Sequence, residues 1–115
     1  IDNGSGLSRD TRISAGNMGH LLMMAWRHPF MPEFMSSLPL SGIDGTMRNR
    51  FRGGPLAGQM HIKTGRLDDV YSIAGYVQSR SGDRYVVVAI QNDKDVHKGP
   101  GRELQDAILS WVHDL

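Results

Sequence analysis

Three closely spaced runs of β-forming residues constrain the fold more than any other feature of this sequence. They cover residues 59–63, 70–79 and 85–91, and the turn "RSGD" joins the last two. Strands joined by short turns pair antiparallel, because a parallel connection needs a crossover of about a dozen residues or more. The runs therefore predict an antiparallel meander.

Helical patterns lie on both sides of these runs. Ser14 is suited to cap a helix ending near residue 28, with Met18, Leu21, Leu22 and Ala25 on one face. A short second helix is predicted with Pro32 in its first turn. A last helix over 101–115 has an apolar stripe predicted to cover the sheet: Leu104, Ala107, Ile108, Trp111 and Leu115. The order predicts an α+β fold, an antiparallel sheet flanked by helices.

Composition excludes several classes of function. The 115 residues suffice for one domain or part of one, and 13 basic against 12 acidic residues leave a net charge of +1, which indicates no nucleic-acid or membrane partner. Without cysteine the chain forms no disulfide and has no thiolate chemistry. No apolar run is long enough to predict a transmembrane segment. Because the sequence opens "IDNGSGLSR", with no Met, we expect an internal fragment.

Residues 41–58 form a glycine-rich stretch without periodicity, which predicts a long functional loop. Arg48, Arg50 and Arg52 alternate within it, as "RNRFR". This pattern is consistent with a local anion site, but it favours a solvated loop edge.

The stretch "HIKTG" at 61–65 places chemistry on the first predicted strand. Lys63 supplies a positive charge, Thr64 a hydroxyl donor, and Gly65 the missing side chain that lets a substrate backbone approach. The backbone N–H of Arg66 is then a candidate oxyanion donor whatever its side chain. The tripeptide alone is weak evidence, but it is the third motif of serine penicillin-binding proteins and β-lactamases.

Its surroundings extend the resemblance to the whole chain. The stretches "DNGSGLSR", "LPLSGIDGTMRNRF", "KTGRLDDVYSIAGYV" and "RYVVVAIQN" resemble the C-terminal part of the D-alanyl-D-alanine carboxypeptidase/endopeptidases, the class C low-molecular-mass penicillin-binding proteins of peptidase S13 type. The resemblance implies that residues 1–115 are the C-terminal portion of a β-lactamase/penicillin-binding transpeptidase-like domain. It also implies serine acyl-enzyme chemistry, no cofactor, and a periplasmic or otherwise extracytoplasmic location.

The resemblance also implies residue roles and partners. Lys63, Thr64, Gly65 and the Arg66 N–H match the catalytic strand. Leu7 and Arg9 match residues that contribute to the pocket for the stem-peptide side chain. His61 is a candidate for the mouth of the groove because it shares the strand face of Lys63, and Leu67 is a further candidate substrate-binding residue. The implied partners are the peptidoglycan stem peptide, β-lactam antibiotics and the upstream N-terminal part of the same protein.

The sequence departs from the family pattern in several respects. No Ser is followed by Lys at the third position and no Ser-x-Asn occurs, so the nucleophile and the second motif are absent and we expect this chain to be inactive by itself. Arg66 stands where the family commonly has Ser or Thr, and Asn3 is inserted in the Asp-Gly-Ser-Gly stretch.

Other readings of the sequence remain open. Five histidines invite a metal site, but no pair has i, i+3 or i+4 spacing. A catalytic triad built on Ser5 or Ser8 is not supported, because neither serine lies in a G-x-S-x-G nucleophile elbow. Asp68 and Asp69 fit a turn with salt bridges to nearby Arg better than an acid/base pair, and His61 fits an exposed strand position. The alternative function is a non-enzymatic module that binds anionic polymers or acidic partners through "RNRFR" and the lysine strand.

Overall fold

A computed structural model describes residues 3–115, and its centre is a three-stranded antiparallel sheet. The strands are β1 (Met60–Leu67), β2 (Val70–Gln78) and β3 (Arg84–Asn92), in spatial order β1-β2-β3. Leu67 pairs with Val70 across the first turn, and Gln78 pairs with Arg84 across the second. The predicted meander is confirmed.

β1 continues further than the sequence predicted. The predicted run ended at Lys63, but pairing with β2 extends from Met60 to Leu67. Lys63, Thr64 and Gly65 consequently lie in the interior of a strand, where β2 fixes the backbone on one side.

Three α-helices complete the fold: α1 (Ala15–Trp26), α2 (Met31–Ser36) and α3 (Pro100–His113). The Ser14 side chain accepts a hydrogen bond from the Asn17 N–H, so the predicted cap of α1 is present. Short 3₁₀ turns lie at Gly45–Met47 and Val96–Lys98. In the described residues no helix is both long and apolar enough to cross a membrane.

The core lies between α3 and one face of the sheet, and it consists of Met47, Met60, Ile62, Ile73, Val77, Val87, Leu109 and Val112. The prediction that the apolar stripe of α3 covers the sheet was wrong for Leu104, Trp111 and Leu115, whose side chains are 53%, 65% and 47% exposed. Gly101 and Gln105 lie against the sheet with Leu109 and Val112 instead. Gly101 is needed there because a Cβ would stand 2.7 Å from the Val96 carbonyl oxygen.

α1 packs on the opposite face, where it contacts β3 and β2. Leu22 is its buried residue, whereas Leu21, which was predicted to share that face, is 54% exposed. The fully buried Tyr76 of β2 donates its hydroxyl hydrogen to the Leu22 carbonyl oxygen at 2.6 Å. Burial raises the pKa of Tyr76, because the charged phenolate would lose its hydration. The rest of this sheet face borders the candidate site.

Candidate active site

β1 is an edge strand, and its main chain defines the candidate site. The Ile62 N–H points away from β2 and donates to the Pro39 carbonyl at 2.9 Å. Main-chain groups alternate in direction along a strand, so those of Thr64 and Arg66 point off the same edge. The Arg66 N–H is thus directed outward, as an oxyanion donor requires.

Lys63 lies on the strand face opposite the core and is exposed. Its Nζ donates a hydrogen bond to the Thr64 carbonyl oxygen at 2.6 Å. Because that carbonyl faces the open edge, the ammonium group is held near the outward-facing Arg66 N–H. A positive charge and a main-chain donor therefore lie along one edge.

Thr64 points to the core face and is half-buried. Its Oγ1 is 2.8 Å from Oγ1 of Thr46, in the 3₁₀ turn of the long loop. Thr46 is not among the site residues predicted from the sequence. No local pattern could have identified it, because the contact joins residues far apart in the chain.

Gly65 is required for a reason beyond substrate approach. A Cβ there would stand 2.4 Å from the Ser72 Oγ of β2. The Ser72 hydroxyl occupies the space next to Gly65 on the Lys63 face, so a side chain at position 65 would displace it.

A cavity of about 870 Å³ lies over this face, between β1–β3 and the segment that precedes α1. It brings together most of the predicted site residues: Leu7, Arg9, Lys63, Thr64, Gly65 and Leu67. His61 and Arg66 do not line it. The charged residues of its described lining are Arg9, Arg12 and Lys63, with no Asp or Glu among them, so its field favours an anionic ligand.

Local hydrogen bonds shape the segment that carries Leu7 and Arg9. The Ser5 Oγ accepts from the Leu7 N–H, and the Ser8 Oγ accepts from the Asp10 and Thr11 N–H groups. Within residues 3–115 neither hydroxyl is hydrogen-bonded to a histidine. These serines build turns, and the geometry gives no support to a catalytic triad.

His61 was expected at an exposed strand position, and this expectation was wrong. Its side chain is half-buried, and its Nδ1 is buried without a hydrogen-bond partner in the described residues. The Leu40 bridge to His61 covers this part of the edge. His61 therefore lies outside the cavity while sharing the face of Lys63.

The Asp68–Asp69 pair is a turn, as predicted, but its partner is a histidine and not an arginine. The Asp69 N–H donates to His97 Nδ1 at 2.8 Å, and His97 Nε2 lies 3.5 Å from Asp68 Oδ1. Asp69 has a φ of 61°, and its Oδ1 accepts from the Asp95 N–H. This network holds the β1–β2 turn against the segment that follows β3.

The arginine-rich loop does not present its arginines together. Arg50 is buried and ion-paired with Asp106 of α3, and its Nη1 has no partner in the described chain. The other two, Arg48 and Arg52, are exposed. The middle arginine anchors the loop to α3, which leaves two of the three for a surface anion site. No cluster of three or more His, Asp or Glu side chains suited to a metal occurs in residues 3–115.

Comparison with known proteins places this strand and cavity in a family. The model of the D-Ala-D-Ala carboxypeptidase 3 (S13) family matches residues 1–115. The chain belongs to this family. The resemblance seen in the sequence is therefore confirmed.

Curated relatives in the S13 family support the assignment. The chain is 34% identical to a D-alanyl-D-alanine carboxypeptidase of Actinomadura sp. over 114 residues, which is 94% of this chain and 20% of the relative. It is 32% identical to the carboxypeptidase DacB of Haemophilus influenzae over 80% of this chain and 20% of the relative. The chain thus spans about a fifth of the length of these curated S13 proteins.

A solved structure confirms the fold. Penicillin-binding protein 4 (dacB) of H. influenzae superimposes with a TM-score of 0.84 and 24% identity, over all of this chain and 27% of that one. A second structure of that protein, complexed with a β-lactam, matches equally well. The α+β class, with antiparallel strands flanked by helices, is shared with this part of penicillin-binding protein 4.

Proposed function

We propose that this segment supplies the carboxylate-binding and oxyanion-binding strand of a serine D-Ala-D-Ala carboxypeptidase/endopeptidase. In this proposal residues 1–115 are the C-terminal part of the catalytic domain. The Ser-x-x-K nucleophile and the Ser-x-Asn motif belong to the part of the protein that precedes it. The segment alone has no catalytic serine and is inactive.

The observation that carries the proposal is the open edge of β1. A peptide or a β-lactam that lies along this edge meets the outward Thr64 and Arg66 main chain, with the Lys63 ammonium bonded to the Thr64 carbonyl beside it. Edge strands recognise extended peptides in this way, through main-chain hydrogen bonds. Because Gly65 has no side chain, a ligand can approach the main chain of β1 closely at this position.

The charges around the strand suit the substrate. The D-Ala-D-Ala terminus carries a carboxylate, and among residues 3–115 the charged groups that line the cavity are cationic. Lys63 with Thr64 would orient this carboxylate, and Arg9 with Leu7 would contact the side chain of the stem peptide. Leu67 adds apolar surface to the same cavity, and His61 shares the strand face of Lys63.

The reaction follows the acyl-transfer scheme of serine hydrolases. The upstream serine oxygen attacks the amide carbonyl carbon, and the developing oxyanion accepts hydrogen bonds from the Arg66 N–H and the serine N–H. The C–N bond then breaks, and D-Ala leaves with a proton on its nitrogen. Water hydrolyses the ester and restores the serine. A β-lactam takes the same first step, but its amine remains tethered to the acyl group.

The proposed partners and location follow from this substrate. This edge would bind peptidoglycan stem peptides and β-lactams, and the segment would pack against the upstream N-terminal part of the same protein. Because peptidoglycan lies outside the cytoplasm, the protein would act in the periplasm or an equivalent extracytoplasmic space.

The test is a lysine substitution in the full-length protein that contains this segment. Lys63→Ala should lower the rate constant for acylation by a fluorescent penicillin by about 10²-fold or more, since it removes the charge that positions the carboxylate. Lys94→Ala is the matched control, because Lys94 is exposed and lies outside the cavity lining. Equal rates for wild type and Lys63→Ala would overturn the assignment of this strand.

A further inference from the structure

The hydroxyl of Thr64 has a partner that the proposed function does not use. Thr46 Oγ1 lies 2.8 Å from Thr64 Oγ1, and it reaches the strand from the Gly45–Met47 turn. A ligand oxygen that binds the Thr64 hydroxyl would therefore bind a group that is already hydrogen-bonded to Thr46.

The fold builds the position of Thr46. On its N-terminal side Asp44 Oδ1 accepts from the Leu40 N–H at 2.6 Å, which closes the loop. Gly45 has a φ of 52°, and a Cβ there would stand 3.0 Å from Pro39 side-chain atoms. On its C-terminal side Met47 is fully buried in the core. Thr46 is thus an exposed residue held between fixed neighbours.

The loop that carries Thr46 is also tied to α3. The Met47 carbonyl accepts from the Gly42 and Arg50 N–H groups. Arg50 continues into the buried ion pair with Asp106 of α3. The turn therefore rests on the core and on a helix, so the hydroxyl pair is not a chance contact of a loose loop.

The donor and acceptor capacity of hydroxyl groups determines how the Thr64 and Thr46 hydroxyls can be hydrogen-bonded to each other and to a ligand. Each hydroxyl has one proton and two acceptor lone pairs. In the structure the Thr64 O–H donates to Thr46. A carboxylate only accepts, so Thr64 can donate to it only after its proton has turned away from Thr46. Thr46 can then donate its own proton to Thr64, which keeps both hydroxyls paired.

We propose that Thr46 is a positioning residue for carboxylate recognition, which orients the Thr64 hydroxyl as a donor to the ligand carboxylate. This inference rests on the proposed function, because it needs a carboxylate at the β1 edge. A chain of two hydroxyl donors ending on an anion is strengthened by polarisation along the chain. Thr46 itself does not touch the ligand.

The experiment removes the hydroxyl and keeps the shape, in the full-length protein. Thr46→Val lacks the hydroxyl, and Thr46→Ser retains it. Both are tested for acylation by benzylpenicillin and by its methyl ester, which has no carboxylate. We expect Thr46→Val to lower the benzylpenicillin rate constant about three- to tenfold, which is the typical cost of losing one hydrogen bond between uncharged groups. The methyl ester rate should stay unchanged, and Thr46→Ser should match wild type.

Two results would overturn the inference. One is equal benzylpenicillin acylation of wild type and Thr46→Val. The other is an equal loss for acid and ester, which would mean that Thr46 only supports the loop. In a Thr64→Val background, Thr46→Val should have no further effect on benzylpenicillin, and a full additional loss would also contradict it.

Lys63→Ala in the same series separates this inference from the proposed function. If Lys63→Ala loses acylation while Thr46→Val does not, the inference alone fails. If wild type is not acylated, or Lys63→Ala is acylated normally, the proposed function fails and the role of Thr46 with it.

Discussion

The outward direction of the Arg66 N–H permits a test that separates main chain from side chain. Arg66→Pro deletes this N–H, and Arg66→Ala keeps it while removing the guanidinium. Proline normally disrupts a strand because it removes a ladder hydrogen bond, but it is tolerated at edges where the N–H faces outward. At Arg66, which pairs with Tyr71, the missing N–H is one that β2 does not use.

The expected loss follows from the role of one oxyanion donor. Deleting such a donor typically slows catalysis by about 10²- to 10³-fold, or roughly 2.7–4 kcal/mol of transition-state stabilisation. We therefore expect Arg66→Pro to lower the penicillin acylation rate constant by that factor. Arg66→Ala should stay within about threefold of wild type, because the exposed side chain makes no hydrogen bond or ion pair in the described chain.

The assay is stopped-flow acylation of the full-length protein, with thermal unfolding as a check that both variants are folded. Two results would contradict the proposed role of the Arg66 N–H. A folded Arg66→Pro protein that acylates like wild type would show that the N–H is not the donor. An Arg66→Ala protein as slow as Arg66→Pro would show that the guanidinium carries the effect.

Two further predictions concern the stem pocket and the buried tyrosine. Arg9→Ala should lower kcat/KM for a stem-peptide substrate about tenfold and leave benzylpenicillin acylation unchanged, because Arg9 would contact only the peptide side chain. Steady-state kinetics measure the first effect and acylation kinetics the second. Equal losses for the two substrates would contradict this role. Tyr76→Phe should lower the free energy of unfolding of this chain by about 1 kcal/mol at pH 7, measured in urea, since it removes the hydrogen bond to the Leu22 carbonyl. Burial raises the pKa of Tyr76 above the ordinary value for tyrosine, which is about 10, so the contribution of Tyr76 to stability is complete below that pH and is lost as the pH rises through the folded-state pKa. Wild type should therefore lose more stability than Tyr76→Phe at pH values above about 10, and parallel losses would contradict this.

The sheet could be predicted from the sequence because its signals are local. Alternating β-forming residues and short turns lie within a few residues of each other, and the register follows from them. The end of β1 was misjudged because Thr64, Gly65 and Arg66 lack the apolar alternation of a strand. Pairing with β2 overrides that weak local preference.

The face of α3 was misjudged for a different reason. An apolar stripe identifies a buried face only when the interface is apolar, and here Gln105 is buried with its Nε2 donating to Gln91. Gly101 is buried because β2 and the Val96 turn approach it closely. Neither residue stands out on hydrophobicity, whereas Leu104 and Trp111 do.

The candidate site, like the fold, has a part that local sequence could predict and a part that it could not. The motif around Lys63 is contiguous, so it could be found in the sequence, and the cavity brings Leu7 and Arg9 to it. The long-range contacts could not be found. Thr46 with Thr64 and Asp69 with His97 join residues that only the fold brings together. A single sequence has no signal for such pairs.

We propose that this chain carries the KTG-bearing part of an acyl-enzyme site and that the nucleophile lies upstream of it. The most direct test is the intact mass of this chain, and of the full-length protein that contains it, after incubation with excess benzylpenicillin. We expect one acyl adduct on the full-length protein and none on this chain. An adduct on this chain alone would mean that one of its own serines is nucleophilic, and the proposed division of the site would be wrong.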